Sequence, residues 1–298
     1  MTTLTAVGLP PATGRAGFGG ALRSEWTKIR SVRSTVWTLL ATAIVTIGIS
    51  TLFAWGTSRH ANAGDLASFD PVRNAMFGIV FGQLVIVVIG SMTMSSEYAT
   101  GMIRTSLTSM PRRGVVYGAK LAVFTGVALV TGLFCSFTSF FIGQAFFGKV
   151  TVHDFRGPAG PQGPGPGGRE IDTVHDLSTT LGSPHVLQAV IGGGLYLAVS
   201  GLLAFGLAAL LRHTAGAITA AIGLLFVTFI MAQFMPSDWA VHVDKWVPFF
   251  AGGQLWGLHK LGDDTVPMLA PWTGFAVFTG YAAVVIIAGA VLFKKRDA

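Results

Sequence analysis

Two runs in this sequence carry residue types suited to metal chemistry. Thr151–Asp154 and Thr173–Asp176 both read TVHD. Paired imidazoles and carboxylates suit zinc, which takes four such ligands at about 2.0–2.2 Å. Between them lies RGPAGPQGPGPGG. Its few Gly-Pro-X triplets cannot sustain a collagen helix and read as a flexible, extended linker. A flexible linker fixes no ligand separation, so a local duplication in a solvated loop is the expectation, and no metal site is assigned. Gly143–Val150, GQAFFGKV, matches GxxxxGK. A phosphate loop needs Ser or Thr where Val150 stands, and it must join a strand to a helix, whereas this run ends an apolar stretch. HExxH and GxSxG are absent from the sequence, and no apolar stretch holds two carboxylates. Enzymes embedded in membranes keep buried ionisable groups, which these stretches almost wholly lack. The expectation is a protein that is not an enzyme, with no catalytic residue, no cofactor and no metal.

A third run raises a different question. Residues 95–113, SSEYATGMIRTSLTSMPRR, place a glutamate, three arginines, a glycine and a proline between two strongly apolar stretches. Nineteen residues exceed the needs of a simple turn and allow a short helix lying across a surface. Ser95 and Ser96 are suited to cap it, with Glu97 in its first turn where the helix dipole favours an anion. Met102, Ile103 and Leu107 give it an apolar face. Pro111 stops it, and Arg112 and Arg113 anchor the start of the next apolar stretch.

The elements that position these residues are set by hydropathy. Of 298 residues, 51% are hydrophobic and 11% charged, against about a quarter charged in soluble domains. Six runs are long enough to cross a bilayer, which takes about 20 apolar residues: residues 36–56, 74–94, 115–147, 186–211, 215–235 and 272–293. The third exceeds one straight crossing and must tilt or extend past the interface. The fold class is an all-α membrane protein with six transmembrane helices, spanning residues 36–298. Residues 1–20 lack the basic start and apolar core of a signal peptide and read as a disordered tail. Residues 21–35 form an amphipathic helix, with Leu22, Trp26 and Ile29 at helical spacing and Arg23, Lys28 and Arg30 elsewhere. Such a helix lies along the surface with Trp26 at headgroup level. The segment from Met235 to Pro271 is too broken to span and too aromatic for a free loop, so a re-entrant or interfacial hairpin is expected.

With the N-terminus inside, 13 of the 20 Lys and Arg residues fall on inner segments and ten of the 13 acids on outer ones. The positive-inside rule then places both termini in the cytoplasm. The excess positive charge serves topology and anionic membrane lipid, and no nucleic acid partner is expected. Gln83, Gln144 and Gln233 are polar at or near membrane depth. They are candidates for lining a translocation path, and interhelical hydrogen bonds explain them equally well. Gly78 and Gly82 form a GxxxG suited to close helix packing. Cys135 is a lone mid-span cysteine, read as a small packed residue.

The run E-Y-x-x-G-M-I-R-x-x-L-x-x-x-P-R-R from Glu97, with Ala119-Lys120 beyond it, resembles the membrane subunit of type-2 ABC exporters, the permease family that shares its fold with ABCG transporters. S-E-W-x-K-I-R at Ser24–Arg30 is a second match. The specific motifs cover about residues 22–37 and 95–121. The resemblance implies that residues 21–35, with Glu25, Trp26, Lys28 and Arg30, form a connecting helix. It implies a coupling helix after the second span, using Glu97, Tyr98, Gly101, Ile103, Arg104 and Leu107, and a re-entrant segment before the sixth span. It further implies a separate ABC ATPase that binds the ATP, a second permease copy, and export across the plasma membrane. The substrate expected is an amphipathic or hydrophobic compound (a drug, antibiotic or lipid-like molecule), because the spans offer few charges. The alternative is a membrane-anchored accessory or assembly subunit that moves with its ATPase without conducting solute. Ala251–Leu255, AGGQL, resembles the signature loop of ABC ATPases but has no nucleotide domain around it. The Gly/Pro insertion at 157–168 lies outside the family pattern.

Overall fold

The computed structural model describes residues 17–59, 61–62, 69–102, 112–156, 159–160, 163–164, 169–257 and 268–295. Six helices among them are long and apolar enough to cross a membrane. A surface helix, α1 (Phe18–Ser31), leads through Val32 into the first span, α2 (Arg33–Arg59). Asp70 then caps a one-turn helix, α3 (Pro71–Ala75). Its side chain accepts from the backbone N–H groups of Val72 and Arg73 at 3.0 and 3.1 Å. Proline at the first helical position and aspartate before it are a strong start signal. A turn at residues 76–78 separates α3 from the second span, α4 (Ile79–Ala99).

That turn corrects the sequence reading. The second span begins at residue 79 instead of 74, and it ends at 99 instead of 94. Ser95, Ser96 and Glu97 therefore belong to the last turns of α4 and do not start a separate helix. The third span, α5 (Arg113–Phe147), has 35 residues, close to the length of the apolar run. The fourth, α6, covers Val186–Leu211. The fifth, α7 (Thr214–Gln233), contains a π-helical stretch at Gly223–Val227. The sixth, α10, covers Pro271–Lys295.

Between α7 and α10 the broken aromatic segment forms α8 (Ser237–Val243) and α9 (Pro248–Gly253), each with a single 3₁₀ turn after it. Residues 247–256 are buried. The ring of Tyr196, from α6, stacks on Phe278 of α10 at 5.2 Å between centroids and lies 6.2 Å from Trp256. Aromatic packing thus seats this segment inside the bundle.

Between α5 and α6, the region expected to be a flexible loop contains strands. β2 (Val150–Arg156) pairs antiparallel with β5 (Arg169–His175), and β1 (Ala61–Asn62) adds a short parallel edge. Two-residue strands β3 (Ala159–Gly160) and β4 (Gly163–Pro164) pair between them. The duplicated Thr-Val dipeptides stand across from each other, Thr151 opposite Val174 and Val152 opposite Thr173. Duplication therefore marks strand pairing. His153 stands opposite Asp172 and His175 opposite Val150, so three ladder steps, roughly 10 Å, separate the two histidine positions.

The core is centred on α6, the most deeply buried of the spans, whereas α2 and α10 are largely uncovered by the rest of the bundle. Two close approaches set the packing. Gly82 on α4 faces Thr46 on α2, and a Cβ there would collide with the Thr46 hydroxyl; Gly90 of α4 faces the Gly201 carbonyl on α6 in the same way. The face of α2 that meets α4 carries Thr42, Thr46, Ser50, Ala54 and Ser58, buried at four-residue spacing. Threonine and serine hydroxyls bond back to their own helix, as Thr46 does to the Thr42 carbonyl at 2.7 Å, so a small polar stripe packs like alanine.

Gly82→Leu should therefore lower thermal stability in detergent by about 1–3 kcal/mol or more through overpacking. Gly48→Leu, where no atom of the described residues lies within 4 Å of the added Cβ, should leave it unchanged. Equal stability of the two variants would contradict this packing.

Candidate functional site

Four charged side chains from three helices meet at one end of the bundle. Glu25 and Lys28 lie one turn apart on α1, Glu97 in the last turn of α4, and Lys120 about two turns into α5. Lys28 Nζ donates to Glu25 Oε1 at 2.7 Å and to Glu97 Oε1 at 2.9 Å. Lys120 Nζ donates to Glu25 Oε2 at 2.7 Å and to Glu97 Oε1 at 2.8 Å. The contacts close into a ring of alternating sign with no net charge. Glu25, Glu97 and Lys120 are buried, while the Lys28 side chain keeps 31% exposure.

Helix dipoles do not explain this arrangement. Glu97 sits at the C-terminal end of α4, where the dipole repels an anion by about 0.3–1 kcal/mol. Two charge-assisted hydrogen bonds, at about 1.5–3 kcal/mol each, outweigh that. The dipole-favoured position expected for Glu97 is thus replaced by direct pairing with lysines. Burial alone draws the Lys28 pKa down. Its hydrogen bonds to Glu25 and Glu97, with the charge of both, overcome this and hold it above the usual lysine value. The Glu97 Oε2 atom is buried and has no hydrogen-bond partner among the described residues.

α1 docks with its carboxylate inward. Ala21 and Glu25 are its buried positions, whereas Trp26 is 48% exposed. The helix is amphipathic as expected, but its apolar side faces away from the bundle, consistent with Trp26 at a membrane interface. Arg30 is exposed as well. Beside the ring, a groove of about 260 Å³ runs between α1, α2 and α4, lined by Thr35, Thr38, Thr93 and Thr100 with Ile89 and Met92.

Next to the ring, Tyr98 lies under the Arg212 guanidinium, 5.0 Å from ring centroid to Cζ. Arg212 caps α6 in the left-handed region at φ 54°. The end of α4 is thereby tied to the α6–α7 turn as well as to α1 and α5. Gly101 stands just after α4 at φ +70°, a conformation that favours glycine after a helix. Of the expected coupling residues, Glu97, Tyr98 and Gly101 are thus placed, and Ile103, Arg104 and Leu107 lie outside the described residues.

The three glutamines do not share a site. Gln83 is fully buried and accepts a hydrogen bond from the Tyr196 hydroxyl. Gln144 donates through Nε2 to the Pro71 carbonyl at 3.2 Å and accepts from the Thr179 N–H at 2.7 Å, pinning α3 and the chain after β5 to α5. Gln233 is exposed. For Gln83 and Gln144 the observed role is interhelical hydrogen bonding.

In the sequence, Glu25, Lys28 and Glu97 stand out for their place in motifs, and Lys120 only as the mark of a span start. Nothing in the motifs joins the four. A lysine within an apolar span is the available signal, because an intramembrane charge calls for a partner.

Six apolar spans with a buried charge ring at one end define a multi-pass membrane protein whose span ends are linked to a surface helix. Residues 21–156, which contain the whole ring, match the family model described as ABC-2 family transporter protein. That match, over less than half of the chain, supports an ABC-2 type permease. No curated protein matches the chain.

Glu97→Gln and Lys120→Gln should each destabilise the bundle by about 3–5 kcal/mol, because each leaves a buried charge uncompensated. The double variant should cost less than the sum of the two, with a coupling of about 1–3 kcal/mol in detergent unfolding. Simple additivity would mean that the two side chains do not interact.

Proposed function

We propose that this permease belongs to an ATP-driven exporter in the plasma membrane, with both termini cytoplasmic, paired with a second permease copy and a separate ATPase. The observation that carries the reading is the charge ring. It links the surface helix α1 to the ends of two spans and includes Glu97 of the 95–113 segment, where the family resemblance puts the ATPase contact. A push on either element is transmitted to α1, α4 and α5 together, because separating them exposes unpaired charge in a low-dielectric setting. ATP closure on the partner then shifts the bundle between inward and outward access.

An amphipathic or hydrophobic substrate is supported by the distribution of charge. Among the described residues of the six spans, the only buried ionised side chains are Glu97 and Lys120, and both are paired with each other and with α1. Ion transport needs charged or carbonyl-lined sites at depth.

Lys28→Gln removes the one ring member with appreciable exposure, so the protein should fold and reach normal abundance. In vesicles with the partner ATPase, ATP hydrolysis should persist while efflux of a fluorescent amphipathic dye falls severalfold. Full efflux would make the ring purely structural. A wild-type complex that hydrolyses ATP and moves no dye would favour the accessory-subunit alternative. Orientation is tested in the same membranes. Cys135 is buried, so single cysteines introduced at Thr27 and Ser178, both exposed, can be labelled against a low background. They should react from opposite sides, Thr27→Cys from the cytoplasm; labelling from one side only would overturn the topology.

A further inference from the structure

We propose that the bundle holds an anionic phospholipid at a specific site between α1, α2 and α5, with its phosphate on Arg30 and one acyl chain along α5. A trough of about 560 Å³ runs there. Trp26 and Arg30 stand at its mouth, one turn apart on α1, and Leu39, Val123, Gly126 and Val130 line its length. The walls are apolar almost throughout, and no atom of the described residues lies within 4 Å of where a Gly126 Cβ would be. Val130, at the deep end, is 70% exposed.

Length selects the occupant. The trough runs along α5 from Ala122 to Thr131, a rise of about 14 Å. That is close to half of a hydrocarbon core of about 30 Å, the depth of one leaflet. A single acyl chain fits this depth, whereas a spanning helix from another protein would use the full height. Charge selects the headgroup. Among the described residues, the acids at this end of the bundle are Glu25 and Glu97, and both are bonded to lysines in the ring. Neither of those carboxylates is left to face Arg30, and Arg23, two turns before it on α1, is exposed as well. A guanidinium is suited to bidentate binding of phosphate, and tryptophan beside it suits the headgroup level. The pairing of the inner acids within the ring thus leaves the outer face of α1 selective for a negative lipid. This inference needs only the membrane setting, and it holds whether or not the protein exports solute.

Native mass spectrometry of the full chain in a zwitterionic detergent tests it, with phosphatidylglycerol and phosphatidylcholine of matched chains titrated in parallel. Wild type should retain one phosphatidylglycerol at about tenfold lower lipid concentration than phosphatidylcholine, the scale of one charge-assisted hydrogen bond. Arg30→Ala should bring phosphatidylglycerol to the phosphatidylcholine level. Gly126→Leu should weaken both by filling the trough. A Gly126→Leu protein that fails to fold leaves the decision to Arg30→Ala, whose side chain is exposed. Equal retention of the two lipids by wild type would overturn the proposal, as would a preference that survives Arg30→Ala. Displacement by glycerol phosphate alone would also overturn it, since the acyl chain would then contribute nothing. So would a dimer that seals the trough and binds neither lipid.

Discussion

A buried charge in an apolar bundle must find its opposite, and here two carboxylates and two ammonium groups satisfy one another in a closed ring. The rest of the charged end is arranged by that requirement. α1 has a single inward carboxylate and lies against the bundle where Lys120 and Lys28 meet it. Glu97 occupies an unfavourable helix terminus because the same lysines hold it there. The apolar side of α1 is consequently left facing the membrane, which inverts the usual arrangement of a surface helix on a soluble protein.

The match to the ABC-2 transporter family gives this geometry a context. The matched region, residues 21–156, begins within α1 and runs past the third span, so it includes every member of the ring. The ring resists separation of its three helices yet leaves no net charge for the membrane to reject. Tyr98 and Arg212 extend the connection to the α6–α7 turn. The most buried span, α6, is thereby linked to the same end.

Much of the fold was legible from hydropathy, because six apolar runs of sufficient length leave few alternatives. The third, fourth, fifth and sixth spans begin and end within two residues of their expected limits. The second did not, because Asp70 and Pro71 start a separate turn of helix before it. That signal was local and readable, but an apolar window has no access to it. The β-hairpin between α5 and α6 was hidden by the Gly/Pro-rich run between its strands, although the repeated Thr-Val pairs that face each other were visible as a duplication. The ring was only partly legible. Glu25 and Lys28 are neighbours on a helix, but Glu97 and Lys120 come from distant parts of the chain. Only the tertiary packing of α1, α4 and α5 shows that each of the two lysines serves both carboxylates.

If this ring holds α1 to the ends of α4 and α5, hydrogen exchange of the α1 amides will report it most directly, compared between wild type and Lys120→Met. Methionine fills the lysine's space without its charge and leaves two carboxylates, Glu25 and Glu97, to share the half-exposed Lys28 alone. Residues 21–31 should exchange much faster in the variant, while the buried centre of α6 keeps its protection. Unchanged exchange in α1, with Lys120→Met otherwise folded, would show that the helix is held by something other than the ring.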